Sequence, residues 1–568
     1  MANYTRMSGR TSNHIDSVNV KVRDDQVLND AGGYVFKASN EQILRRFLVL
    51  GTEGGTYYTS EKNLTRDMAK HIEDMLNIDY ISVIDEVVDI SNSGRAVKND
   101  PAIFVLALAA THSDEKTRSY ALRHLGDVCR YSTDFFTFLS YVRDLKKGSG
   151  WGSAMRKAVA RWYNNKPAKT IAYQVCKYPS RKLQDSPLWS HRDALRKAHV
   201  LPHTDKHNII FQYAIAGAGD GCRTYVDKEG TSRVSKTQPI DTTELLSFTS
   251  DENLRYIYGH EMAKNAVNVK QVVTAICDYG VTRESIPNKY FEYKEVWDAL
   301  LERMPLTAMI RNLGKMTAVG TIAPFNSGTN KIVDILTNNK EVLQKARIHP
   351  MGLLNAYRIY QNGCGWKGRL SWTPVPPITE ALESAFYDSF NYIEPIGRRI
   401  LLGIDMSGSM GGRVPGLPHI KLTEAAAIMA MVLVRRETNY YIIGFDTRVY
   451  DNLGITQHDS LADVVRKIRP RGGTDCSIPV RWAINRGVDV DAFITLTDTQ
   501  SWYGEHPFQA VKQYRSRFNS KASSVTVSMV SNEYSLHNEE EICDANALDV
   551  VGFDVRTPMV VGEFLKEF

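Results

Sequence analysis

From residue 399 onward the chain alternates short apolar runs with helix-patterned stretches, and this alternation restricts the fold more than any other feature. Arg399 to Ile404 (RILLGI) reads as a strand, Leu422 to Arg435 (LTEAAAIMAMVLVR) as a helix, Tyr440 to Phe445 (YYIIGF) as a strand and Leu461 to Ile468 as a helix. Ala492 to Leu496 (AFITL) makes a third strand, a helix follows around Phe508 to Phe518, and Val525 to Val530 and Leu548 to Phe553 add two more strands. Strands separated by helices pair in parallel and carry helices on both faces. The predicted class is therefore α/β and doubly wound, with ligands beyond the carboxyl ends of the strands.

Those ends carry chemistry. The first strand runs into DMSGSM, which spaces Asp405, Ser407 and Ser409 as D-x-S-x-S. TLTDT puts Asp498 at the same end of a later strand, and RGGTDCS offers Thr474 from a glycine-rich loop. Two carboxylates and three hydroxyls are hard oxygen donors, suited to a divalent cation, Mg2+ above all, with water in the remaining positions. A nucleophile elbow does not fit, because neither Ser407 nor Ser409 has a glycine two residues before it and no histidine is spaced to serve as its base. Hydroxyls that merely cap the following turn would explain D-x-S-x-S alone, but not Thr474 and Asp498 in register with it. No activated nucleophile or base pair stands out elsewhere, so the chain reads as noncatalytic.

Upstream the pattern is helix after helix. In SAMRKAVARWYN, Ser153 to Asn164, the residues Met155, Ala158, Val159 and Trp162 form one buried stripe and leave Arg156, Lys157 and Arg161 off it. In SHRDALRKAH, Ala194, Leu195 and Ala198 make a short apolar face while Arg192, Arg196 and His199 stand at i, i+4 and i+7 on another. Such helices over some 340 residues point to a stacked-helix solenoid, although no fixed repeat period is visible. Three prolines in SWTPVPPITE mark the change of character. The expected division is a flexible segment over 1–30, an α-helical region over 31–370 and the α/β domain over 371–568.

The 568 residues carry a net charge of +6, unevenly placed. Residues 371–568 hold 19 Lys and Arg against 25 Asp and Glu, whereas residues 1–370 hold 51 against 39. A basic N-terminal part suits a polyanion and an acidic C-terminal part does not, although basic side chains that only solvate helices remain an open alternative. The N-terminus lacks the apolar core of a secretory signal and no apolar run spans a membrane, so a cytoplasmic protein is expected. Seven scattered cysteines without a C-x-x-C pair support neither a disulfide framework nor a zinc knuckle.

The constellation around Asp405 resembles the von Willebrand factor A domain with its metal-ion-dependent adhesion site. The resemblance implies that Asp405, Ser407 and Ser409 contact the metal most directly, that Thr474 adds a hydroxyl, and that Asp498 completes the shell directly or through water. It also implies an open position for an acidic side chain of a protein ligand. GTEGGTYYTSEKNLT, GWGSAMRKAVARWY, MPLTAMIRNLGKMT, IHPMGLLNAY and ALESAFYDSFNYIEPIGRRILLGIDMSGSM run nearly the whole chain in order and resemble the TROVE module of the Ro autoantigen family. That resemblance implies a ring of HEAT-like helical repeats closed by the A domain; a ring made within one chain needs no partners to close, so a monomer is expected. It implies Y RNA on the outer surface, single-stranded 3′ ends of defective noncoding RNA in the central hole, and an exoribonuclease partner such as polynucleotide phosphorylase.

Within KYPSRKLQDSPLWSHRDALRKAH, the family motif K-Y-x-x-R, W-S-H-K-D and a later His falls on Lys177, Arg181, His191, Arg192 and His199, which the resemblance makes RNA-binding positions. Two departures stand out: the loop from Lys182 to Leu188 is longer than the family's turn, and Arg192 replaces a lysine. Arg156, and Arg311 with Lys315 one turn apart in MPLTAMIRNLGKMT, are further candidates for RNA contact. His199, His203 and His207 are spaced by four but Pro202 interrupts any common helix face, so they do not read as a metal site. Two readings remain: an RNA-binding ring, and a metal-dependent protein-interaction adaptor acting through the A domain. Steep salt dependence marks the first and chelator sensitivity the second.

Overall fold

The computed structural model describes residues 17–37, 40–50, 61–93, 96, 98–146, 150–182, 188–226, 231–338, 350–365, 369–389, 395–414, 417–530, 534–538, 547–551, 561, 564 and 565. The chain forms two compact units, one from 71–94 and 98–389 and the other from 1–70, 95–97 and 390–568. Among the described residues no helix is long and apolar enough to cross a membrane.

The chain opens with two short antiparallel strands, β1 (Gln26–Leu28) and β2 (Tyr34–Lys37). They belong to the same unit as the C-terminal domain, so the expected flexible segment over 1–30 does not hold for residues 17–30. The physical reason is a set of hydrogen bonds to partners far along the chain, among them Asn29 to Ser501 and Gln26 to His506.

The first of these units is helical, as expected. Its helices pack mostly on near neighbours in sequence: Asp100–Thr111 on Glu115–Arg123 and Ser132–Leu145, and Arg255–Lys264 on Val269–Tyr279, which meets Lys294–Leu301. The predicted helix Ser153–Asn164 buries Met155, Ala158, Val159 and Trp162 as its spacing requires, with Tyr163 beside them. Trp162 stacks on Phe135 at 4.3 Å between ring centroids. Two hairpins interrupt the helices: β3 (Ser180–Arg181) with β4 (Trp189–Ser190), and β5 (Thr224–Val226) with β6 (Ser232–Val234). The helix Pro376–Asp388 belongs to this unit, so the change of unit falls at residue 390 rather than at 371. Prolines at its first positions start this helix instead of ending the helical region.

The C-terminal domain carries the predicted sheet. Its central strands are β7 (Ile400–Asp405), β10 (Tyr440–Phe445), β12 (Ala492–Thr497), β13 (Ser523–Ser528) and β15 (Ala547–Val551). They pair in parallel, and β11 (Val449–Tyr450) adds an antiparallel edge, giving the order β11-β10-β7-β12-β13-β15. Smaller strands β8 (Arg413–Val414) and β9 (Leu417–Lys421) pair with each other, and β14 (Tyr534–Ser535) pairs with β2. Every residue of β7, β12 and β13 is buried, because helices cover both faces. On one face Leu401 and Phe493 meet Val480, Ala483, Ala510 and Tyr514 from helices Ile478–Arg486 and Pro507–Arg517. On the other, Leu402 and Ile494 line a small apolar cavity together with Met429 and Leu433 from helix Leu422–Arg436. The sequence reading missed Ile478–Arg486, whose proline at the second position suits a helix start. The strand order reverses between β7 and β12, and a crevice opens beyond their carboxyl ends at such a switch point.

Candidate metal centre and nucleic-acid interface

The switch point brings the predicted oxygen donors together. Asp405 ends β7 and is fully buried; Asp498 follows β12 and is 2% exposed. The Ser407 backbone N–H donates to Asp405 Oδ1 at 2.8 Å, and the Ser407 and Ser409 hydroxyls meet at 3.0 Å. Asp498 is hydrogen-bonded by the Ser409 hydroxyl and accepts the Gln500 N–H on Oδ1 at 3.2 Å. Thr474 is buried on the glycine-rich loop 470–477, which is tied to the loop after β7 by Arg471 N–H to Met406 O (2.6 Å) and Gly408 N–H to Gly472 O (3.2 Å). Gly472 has φ +68, and a Cβ there would stand 3.0 Å from the Asp446 carboxylate, so glycine is needed for this close approach. Thr474 O in turn accepts the N–H groups of Trp502 and Tyr503.

Burial, together with the neighbouring Asp498 charge, pushes the Asp405 carboxyl up to about 7 against the bonds from Ser407 and Thr497. Burial raises Asp498 as well. Two desolvated, mutually repelling carboxyls with the Ser407 and Ser409 hydroxyls between them, and Thr474 buried on the adjoining loop, form a donor set that fits a hard divalent cation, which would let both ionise. Two residues escaped the sequence reading. Thr497 donates from Oγ1 to Asp405 Oδ2 at 2.6 Å and fixes its orientation, and Gln500 carries a buried Oε1 with no hydrogen-bond partner. Thr499, between Asp498 and Gln500, holds a left-handed φ of +62, strain of the kind found at functional sites.

The N-terminal strap braces this loop. Asn29 is buried; its Nδ2 donates to Ser501 O at 2.7 Å, and its Oδ1 accepts the N–H groups of Ala31 and Gly33 at 3.1 and 2.9 Å. Gly33 lies so close that a Cβ would stand 2.0 Å from Ser501 O. Asp30 accepts from Tyr534 at 2.8 Å and from Gln500 Nε2 at 3.4 Å, while Gln26 Nε2 meets His506 Nδ1 at 3.1 Å.

The basic candidates lie in the helical unit. Helix His191–Ala198 starts in a full capping box: Ser190 Oγ accepts the Asp193 N–H and the Asp193 carboxylate accepts the Ser190 N–H. Arg192, Arg196 and His199 are exposed on it, His199 in the left-handed conformation at its carboxyl end. Neither Arg192 nor Arg196 has an ion-pair partner among the described residues. Lys197 anchors the helix by placing its ammonium 4.9 Å from the Trp151 ring and 5.5 Å from the Trp189 ring.

Arg181 is half-buried on β3 opposite Trp189. Lys177 is half-buried at the end of helix Ala168–Lys177, with its Nζ 2.8 Å from the Tyr173 hydroxyl, 5.1 Å from the Tyr178 ring and 4.0 Å from Glu284. Burial pulls its ammonium down, but Tyr173, Glu284 and Tyr178 outweigh this and raise it. The lysine is therefore charged and held in place by residues the sequence reading did not name. Arg156 is exposed on helix Ser153–Asn164, and Arg311 is exposed on helix Leu306–Ala318. Lys315, one turn after Arg311, is engaged by Glu292 at 2.7 Å.

His191 needs a correction: it is 2% exposed and does not stand with the basic face. It completes the apolar stripe of Ala194, Leu195 and Ala198 at i, i+3, i+4 and i+7. The ring therefore turns inward, where Nδ1 meets the Tyr163 hydroxyl at 2.8 Å and Phe136 packs edge-on. Burial lowers its pKa to about 3, so it is neutral. GTEGGTYYTS, residues 51–60, and most of the long loop, residues 183–187 including Asp185, lie outside the described residues.

Two family models match the chain: one described as the TROVE domain over residues 27–359, the other as the Ro60 vWA domain over residues 399–565. This chain belongs to the Ro60 family. An RNA-binding protein RO60 of Caenorhabditis elegans is 33% identical over 596 residues, covering 96% of this chain and 91% of that protein. One of Deinococcus radiodurans is 33% identical over 551 residues, covering 96% of each. The crystal structure of the Deinococcus radiodurans Ro (RSR) protein superposes with a TM-score of 0.68 at 31% identity, over 93% of this chain and all of that one. The Ro60 assignment covers both regions in chain order, a helical TROVE region followed by a von Willebrand A domain.

Proposed function

We propose that this chain is a noncatalytic RNA-binding protein. It takes a Y-type small RNA on the outer surface of a TROVE ring and single-stranded 3′ ends of misfolded noncoding RNA in the ring's hole. The observation that carries this reading is the exposed basic face of helix His191–Ala198, where Arg192 and Arg196 have no ion-pair partner among the described residues. Such unneutralised guanidinium groups suit phosphates, which they meet bidentately and without reading sequence. The names of the relatives, RNA-binding proteins, support the same reading. In this proposal the protein acts in the cytoplasm as a monomer and hands defective RNA to an exoribonuclease, with polynucleotide phosphorylase the partner type that the resemblance implies.

The C-terminal pocket favours a second activity that is compatible with the first. We infer that Asp405, Ser407, Ser409, Thr474 and Asp498 hold Mg2+, directly or through water. Once bound, the cation would supply an electrophilic position for an acidic side chain of a protein partner, making the domain an adaptor.

The RNA reading is tested by titrating a duplex with a single-stranded 3′ tail, and the same duplex made blunt, at several salt concentrations. Wild type should prefer the tailed duplex, with affinity falling steeply as salt rises. The Lys177→Ala, Arg181→Ala, His199→Ala variant should bind at least about tenfold more weakly and with a shallower salt slope. Equal binding by wild type and variant would remove this face from the RNA surface, and absence of RNA binding by the wild type would end the reading.

A further inference from the structure

The hairpin of β5 and β6 is a poor structural element by itself. A two-stranded ribbon is marginally stable in water, and this one turns much of itself to solvent: Thr224 and every residue of β6 are exposed, Val234 at 62%. Yet its root is tied down at four points. Ser235 N–H donates to Arg223 O at 2.8 Å, Arg223 N–H to Gln238 Oε1 at 2.9 Å, and Gln238 Nε2 back to Arg223 O at 3.4 Å. The Arg223 guanidinium donates to Ile215 O at the end of helix Asp205–Ala216. That helix packs directly on helix His191–Ala198, which bears Arg192 and Arg196. The arm is thus rigidly rooted beside the basic face, and it extends that face with Arg223 at its root, Arg233 on β6 and Lys236 just beyond.

Burial and the nearby Arg192 and Arg196 charges lower the Arg223 guanidinium below its ordinary value, as expected where three cations converge. A solvent-exposed arm whose root cation stands beside Arg192 and Arg196 is suited to a polyanion, the ligand proposed above for the neighbouring face.

We propose that the β5–β6 hairpin is a second RNA-contact arm, in which Arg223, Arg233 and Lys236 engage backbone phosphates of the duplex adjoining the segment held at Lys177 and Arg181. The inference rests on the RNA-binding reading above and adds a surface to it. Phosphate contacts of this kind position the RNA without specifying its sequence.

The test is a salt-dependent titration of the full-length protein with the tailed duplex. It compares wild type, the exposed pair Arg233→Gln with Lys236→Gln, the Lys177→Ala with Arg181→Ala pair, and a charge-matched control in the C-terminal domain, Lys512→Gln with Lys521→Gln. The hairpin pair should bind about tenfold more weakly at low salt, with a salt slope shallower by about one for each phosphate no longer neutralised, while the control pair behaves as wild type. Wild-type affinity and slope in the hairpin pair, alongside loss of binding in the Lys177 and Arg181 pair, would overturn the arm and leave the RNA reading standing. An equal loss in the control pair would overturn it too, by showing an effect of total charge. Absence of wild-type binding would overturn both.

Discussion

The pocket at Asp405 and the face at Arg192 both gather charge of one sign, and they do so in opposite media. Asp405 and Asp498 are buried, so each raises the other's cost of ionisation and a single bound cation changes the state of both. Arg192 and Arg196 are exposed, where repulsion is weakened by water and screened beyond about 8 Å at physiological salt. In the first region one side chain decides the outcome. In the second the binding energy is divided among many side chains, each contributing little and all answering to salt.

The largest effect expected from this contrast is at the pocket. Magnesium at about 100 times its Kd should stabilise the C-terminal domain by about 2.7 kcal/mol. Asp405→Asn should abolish that shift, and in chelator it should be no less stable than wild type, because it removes one of two repelling buried carboxylates. Thermal unfolding with Mg2+ and with EDTA measures both. A full magnesium shift in the variant would take Asp405 out of the site and erase the contrast.

A smaller effect should come from the strap, which sharpens the comparison by asking how far the pocket's support extends. Gly33→Ala places a methyl group 2.0 Å from Ser501 O, so the strap must shift and Asn29 must give up its 2.7 Å bond there. An overpacked contact and a broken buried hydrogen bond together should cost about 2 kcal/mol. Hydrogen exchange of the 499–506 backbone should rise in the same variant, and protection equal to wild type would show that the loop after Asp498 stands without the strap.

The strap also shows where sequence stops being informative. The strands of the sheet are legible because parallel strands buried on both faces are continuous apolar runs, and Asp405 and Asp498 are legible because they end two of them. Thr497 could have been found from TLTDT, since a hydroxyl directly before the acid is part of the same strand end. The brace from Asn29 to Ser501 could not, because a contact across 472 residues leaves no local pattern. The small β1–β2 ribbon is likewise invisible, as strands of three and four residues fall below any period. On the helical side the stripe of Ala194, Leu195 and Ala198 is legible, yet the motif puts His191 among the surface ligands although the same period places it on the buried stripe.

That misplacement gives the smallest and most specific prediction. His191 and Arg192 are adjacent on one helix, one buried and neutral, the other exposed and charged. In the unfolded chain His191 takes up a proton near its ordinary pKa of about 6.5, whereas in the folded protein burial delays protonation until about 3. Between those values the unfolded state binds more protons, so this group's contribution to stability is fully present above about pH 6.5 and is lost as pH falls toward 3. His191→Gln removes the titration but also disturbs the 2.8 Å bond to Tyr163, which should cost about 1 kcal/mol at pH 7.5. The difference between wild type and variant should therefore shrink as pH is lowered below 6.5 and reverse just below 6, since one unit of differential protonation is worth about 1.4 kcal/mol. His260, which burial also lowers, to about 4, is common to both proteins and cancels in the difference. Denaturant unfolding of both proteins between pH 4.5 and 7.5 measures the gap, and a gap independent of pH would mean that His191 meets solvent and belongs with Arg192 after all.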